Sequence, residues 1–163
     1  MSRSHHYEIL VEWVGNLGSG TSSYRAFSRD HVVTAATTPP ILASSDVAFR
    51  GDPGRWNPEQ LFLSAIAQCH MLWFLHLASQ AGVIVLSYVD APSGEMIEQD
   101  DGRGRFETIV LRPLVTITAE SDPAFAQSLH STVADYCYIA RSVSVPIVHH
   151  PVTVVDGSRV PAP

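Results

Sequence analysis

Lysine is absent from the 163 residues, and all ten basic residues are arginine. That excludes Schiff-base chemistry or any other catalytic lysine. Cysteine is nearly as scarce, with two in the chain, too few for a disulfide framework. Positive charge is also short: ten arginines face sixteen acidic residues, for a net charge of −6. No basic cluster of the kind that phosphate contacts require is present, so a nucleic-acid partner is not expected. Repeats and low-complexity stretches are missing too. Met1 to Glu8 contains no apolar core of signal-peptide length. The one long apolar run, 61–78, is interrupted by Ser64, Gln68, His70 and His76. It reads as a helix buried on most sides in a soluble core, with no membrane partner. A cytoplasmic location follows as an expectation, and there isolated thiols stay reduced and available for chemistry.

What is present suits a folded globular chain: 45% hydrophobic and 16% charged residues. The length fits one domain over 1–156, followed by a frayed tail at 157–163. Alternation from Tyr7 to Val14 predicts a first strand, and Tyr24 to Val33 a second. Thr37 to Pro40 and Ser44 to Arg55 read as irregular. Asn57-Pro58-Glu59-Gln60 is the clearest local signal. Asn57 suits an N-cap, Pro58 the first helical position, and Gln60 the return bond of a capping box. The helix should run from 58 to 80 and stop at Gly82. Strands are predicted over 83–90, 94–99 and 106–118, the last confined by Pro113 to an edge or a bulge. Asp122-Pro123 opens a second helix at 124–134. A short helix over 136–143 and a strand over 147–155 complete an α+β pattern with a mainly antiparallel sheet.

Cys69 lies mid-helix, and Cys137 lies in Asp135-Tyr136-Cys137-Tyr138. Taken alone, each fits either an inert buried thiol or a nucleophile. A metal site has little support. Neither cysteine belongs to a Cys-x-x-Cys pair, His70 and His76 are six residues apart on a helix, and His149 and His150 face opposite ways in a strand. Phe62, Trp73 and Phe74 read as core or subunit contacts, some of them able to wall an apolar pocket.

The sequence Asn57-Pro58-Glu59-Gln60-Leu61-Phe62, the helix bearing Cys69, and the segment Cys137-Tyr138-Ile139-Ala140-Arg141-Ser142-Val143 together resemble the OsmC/Ohr family. These are the osmotically inducible protein C and organic hydroperoxide resistance proteins, and the resemblance spans about residues 20–155. It implies an α+β fold in which mainly antiparallel sheet wraps long central helices in an intertwined homodimer. It also implies a thiol-dependent peroxidase acting on organic hydroperoxides or hydrogen peroxide. Cys69 would be the peroxidatic cysteine, oxidised to a sulfenic acid. Cys137 would be the resolving cysteine that converts it to a disulfide. An external dithiol, lipoyl or similar, would then restore both thiols without a metal or bound cofactor.

In the family an arginine holds the thiolate and a glutamate orients the arginine. Glu59 matches the glutamate. Arg50 lies near the place where one branch carries its arginine, shifted along the chain, and Arg25 and Arg29 lie near the place used by another. Ten residues of helix separate Glu59 from Cys69 by about 15 Å along the axis and about 80° around it. Either the chain bends sharply after Pro58, or Glu59 serves the other subunit, as an intertwined dimer would allow. Two other functions share the same sequence: a small-molecule binding or structural dimer without efficient turnover, and a redox sensor that passes a disulfide to a partner protein.

Overall fold

The computed structural model describes residues 3–157, so most of the tail expected to fray lies outside the described residues. The chain divides into two compact units at Phe62/Leu63. In the first unit, β1 (Leu10–Trp13), β2 (His31–Thr34) and β3 (Ile41–Ala43) form an antiparallel meander in that order. The predicted second strand shrinks to its last part. Residues ahead of it are held as turns by Ala26 N donating to Ser23 O and by the Arg29 guanidinium donating to the Tyr24 and Phe27 carbonyls. β3 was not anticipated. Gly15 has a steric reason, because a Cβ there would lie 2.1 Å from the Ser28 carbonyl oxygen. A 3-10 turn at Val47–Phe49 is capped by Asp46 and ends at Arg50 with φ 67°.

Helix α1 spans Pro58–Gln80, as the capping signal predicts. Asn57 Oδ1 accepts from Gln60 N at 2.8 Å, and Gln60 Oε1 accepts from Asn57 N at 3.2 Å, a reciprocal capping box. Gly82 takes φ 73° beyond the last turn, where Val83 N donates back to Ala78 O. The expectation of burial on most sides is not met. Only Ile66, His70, Phe74 and Ala78 are buried, a single i,i+4 stripe, while Leu72 is 61% exposed. One chain covers one face of this helix.

The second unit carries two three-stranded sheets. One is ordered β4 (Val85–Asp90), β7 (Pro113–Ile117), β9 (Val152–Val155), and the other β5 (Ser93–Glu98), β6 (Gly104–Leu111), β8 (Ile147–His149). The strand predicted over 106–118 is therefore two strands in two sheets. Arg112 makes the break: its N–H donates to Asp90 Oδ1 at 2.7 Å and its guanidinium to Ser93 Oγ at 2.8 Å. Pro113 then heads the central strand β7 and does not sit on an edge, because a first position needs no ladder donor. The last predicted strand splits likewise at His150-Pro151, and β8 and β9 run parallel to β6 and β7. The other pairs are antiparallel.

Helix α2 spans Pro123–Tyr136, with Asp122 Oδ1 accepting from Ala124 N and Phe125 N. The helix expected over 136–143 is only a 3-10 turn at Ala140–Ser142. Cys137 instead stands at the C-cap of α2 in extended conformation, its N–H bonded to Val133 O. The core joins Phe74 and Ala78 of α1 to Val115 and Ile117 of β7 and to Ala126 and Val133 of α2.

Candidate active site

Cys69, on α1, and Cys137, closing α2, are brought together although 68 positions separate them: Cys69 packs against the buried cluster that contains Cys137, and the two thiols influence each other. Both are free. Cys69 is half-buried and Cys137 is 1% exposed. Ala140 N donates to Cys137 Sγ at 3.4 Å. Burial, reinforced by the neighbouring Cys69 thiol, pushes the Cys137 thiol up to about 11, so it carries its proton at neutral pH. The two sulfurs thus occupy different environments, one more open and one enclosed.

Trp73 stands one turn beyond Cys69 on the same side of α1. Its ring meets those of Tyr136 at 5.2 Å, Tyr138 at 5.5 Å and His76 at 5.5 Å. Tyr138 is 68% exposed. Aromatic rings therefore flank the Cys69 turn. Phe74 points into the core and stacks on His130 at 4.1 Å.

A cavity of about 210 Å³ opens against Cys137. Ile66, Leu111 and Ile147 give it apolar walls, and His70, His149 and Arg141 are its polar groups. Behind it lies a feature the sequence reading missed. His70 Nε2 and His130 Nδ1 are hydrogen-bonded at 2.9 Å, and the His149 ring lies over His70 at 4.6 Å. The three come from α1, α2 and β8 and are separated by 60 and 19 residues, so no local pattern announces them. Burial, then His149 and His130, lowers His70 to about 3. Burial, then His149, lowers His130 to about 4. His149 is lowered as well, chiefly by burial, with the nearby charge of Asp90 opposing. All three imidazoles are neutral at pH 7. Asp90 is raised by burial, against the Arg112 N–H it accepts and the Arg112 charge. Asp90 Oδ2, Tyr88 OH and His130 Nε2 are buried without a hydrogen-bond partner. Among the described residues no group of three or more His, Cys, Asp and Glu is arranged to hold a metal ion.

The remaining expected site residues belong to the first unit. Glu59 is half-buried, and its Oε2 is buried without a partner. Arg29 is committed locally, lying over the Tyr24 and Phe27 rings at 4.3 and 4.2 Å and donating to both backbone carbonyls. Arg25 and Arg50 are exposed.

A family model for OsmC-like proteins matches residues 51–150. No curated protein matches the chain. Among solved structures, an OsmC-like protein of unknown function from Vibrio cholerae superposes with a TM-score of 0.82 at 26% identity, covering 91% of this chain and 100% of that one. An OsmC-like protein from Mycoplasma pneumoniae has a TM-score of 0.71 at 15% identity over 93% of this chain and 99% of that one. An organic hydroperoxide resistance protein from Elizabethkingia anophelis gives 0.65 at 13% over 94% of this chain and 100% of that one. The last two likenesses concern the fold alone.

Proposed function

Because the chain belongs to the OsmC family, we propose that it is a thiol-dependent peroxidase reducing organic hydroperoxides. The observation that carries this reading is the contact between Cys69 and Cys137, delivered by two different helices. The Cys69 thiolate attacks the distal peroxide oxygen, the O–O bond breaks, and the alkoxide leaves as an alcohol after taking a proton. Cys69 is left as a sulfenic acid. The sulfur of Cys137 then attacks that of Cys69, the S–O bond breaks, and water leaves as the disulfide forms. An external dithiol, lipoyl or similar, reduces the disulfide by two exchange steps. The aromatic wall at Trp73 and Tyr138 favours a peroxide with a bulky apolar group.

A thiolate on a largely apolar helix needs a cation. Arg50 is the first choice and Arg25 the second, since Arg29 is engaged with its own loop. The unpartnered Oε2 of Glu59 is suited to orient such an arginine. α1 runs from Pro58 to Gln80 as one helix, so Glu59 and Cys69 of one chain are separated by about 15 Å of helical rise. A homodimer answers both this separation and the uncovered faces of α1: each site combines Cys69 and Cys137 of one protomer with Glu59 of the other. The place of action is the cytoplasm, where a dithiol is available. The test is steady-state consumption of cumene hydroperoxide against hydrogen peroxide with dithiothreitol or a lipoyl dithiol. Turnover that disappears in Cys69→Ser is expected. A wild-type dimer that consumes neither peroxide would leave a binding protein on this fold.

A further inference from the structure

We propose that His149 accepts the proton of the Cys137 thiol during disulfide formation, with His70, His130 and Asp90 as the positioning residues that hold and charge-balance it. The inference rests on the peroxidase reading for its place in the cycle, but its evidence is separate. Three imidazoles from three elements meet in one core, at 2.9 Å between His70 and His130 and at 4.6 Å between the His70 and His149 rings. As packing this is costly, because His130 Nε2 is buried with no partner. The cluster is also not remote from the thiols. His70 and His149 both line the cavity that Cys137 lines. That space, about 210 Å³, is large enough for water, so a proton can pass from Cys137 to His149 through water in the cavity they share.

The chemistry requires such a group. Disulfide formation must remove the proton of an enclosed thiol, and enclosure works against the thiolate. Of the two cavity imidazoles, His70 has Nε2 engaged by His130, whereas the charge of Asp90 favours the protonated form of His149. The groups bearing on His149 are His70 from α1, His130 from α2, Asp90 ending β4, the neighbouring His150, and Arg141 across the cavity. Arg112 bears on it through Asp90. The carboxylate of Asp90 supports an imidazolium, and burial and His150 oppose it. In the step itself, the Cys137 S–H proton goes to His149, the thiolate forms the S–S bond as the Cys69 S–O bond breaks, and the departing hydroxide takes the proton back as water.

The test separates the two oxidation steps by acid quench, sulfenic-acid trapping with dimedone, and mass spectrometry. The oxidant is cumene hydroperoxide in one arm and the azo compound diamide in the other. With diamide, Cys137 must still lose its proton to expel the reduced hydrazine from a Cys69 adduct. His149→Gln is expected to form the Cys69 adduct at the wild-type rate in both arms and the disulfide at least tenfold more slowly. Free imidazole should restore the rate in His149→Ala. Asp90→Asn keeps the acceptor for the Arg112 N–H but loses the charge. It should move the acid limb of the disulfide step to lower pH and lower its plateau, which decides the matter if the His149 variants do not fold. Wild-type disulfide rates in His149→Gln, or an unshifted profile in Asp90→Asn, would overturn the assignment. A His149-dependent step with diamide but no sulfenic acid with hydroperoxide would keep the relay and reject the peroxidase reading.

Discussion

Acidification should weaken the fold through His70 and His130 in a pH window set by their burial. Both are held neutral, His70 down to about 3 and His130 down to about 4, against 6.5 for a free imidazole. Between those values the unfolded chain binds protons that the native chain does not, so stability rises with pH across the window and is lost on acidification. Each imidazole contributes about 1.4 kcal/mol per pH unit below about 6.5, so going from about pH 7.5 to about pH 5 costs about 2 kcal/mol per group. The pair together costs about 4 kcal/mol, a large share of the ~5–15 kcal/mol typical of a domain. Urea titrations at fixed protein concentration measure the loss, since a dimer's stability depends on concentration. Histidine ring proton shifts identify the groups. His130→Phe should remove about half of the pH dependence. A loss below about 1 kcal/mol over this range, or both rings titrating near 6.5, would refute the reasoning.

Cys69→Ser should abolish peroxide turnover, whereas Cys137→Ser should undergo a single oxidation that dithiol reverses slowly, both read by stopped-flow peroxide consumption. In a mixed dimer of Glu59→Ala and Cys69→Ser chains, one site should be intact and the other doubly damaged. About half the wild-type activity should return, and no recovery would place Glu59 elsewhere. Asp122→Ala removes the acceptor for Ala124 N and Phe125 N and should cost about 1 kcal/mol by denaturant titration. Gly51→Ala should destabilise more than a surface change, because its Cβ would fall 1.5 Å from the Ser45 carbonyl oxygen. Thermal unfolding would show this as a lowered Tm.

Local chemistry was legible and long-range pairing was not. Asn57-Pro58-Glu59-Gln60 placed the start of α1, and Asp122-Pro123 that of α2, because capping acts within four residues. The apolar stretch 106–118 gave no sign that it serves two sheets. That division depends on Arg112 bonding to Asp90 and Ser93, some twenty residues away. The burial of α1 was overestimated because its composition is apolar on every side, and composition does not say whether one chain or two will cover it. At the candidate site, the family pattern singled out Cys69 and Cys137 and left the arginine open among Arg50, Arg25 and Arg29. Arg29 is committed to the rings and carbonyls it holds. The histidine cluster was out of reach altogether. His70, His130 and His149 follow no common period, and tertiary packing alone unites them.

The most direct test of the central claim is peptide mapping under non-reducing conditions after one equivalent of cumene hydroperoxide. A two-cysteine peroxidase in which Cys69 is oxidised and Cys137 resolves it predicts one disulfide, Cys69–Cys137 within a single chain, formed together with one equivalent of cumyl alcohol. Bridges found only between chains, or two free thiols beside unconsumed hydroperoxide, would contradict it.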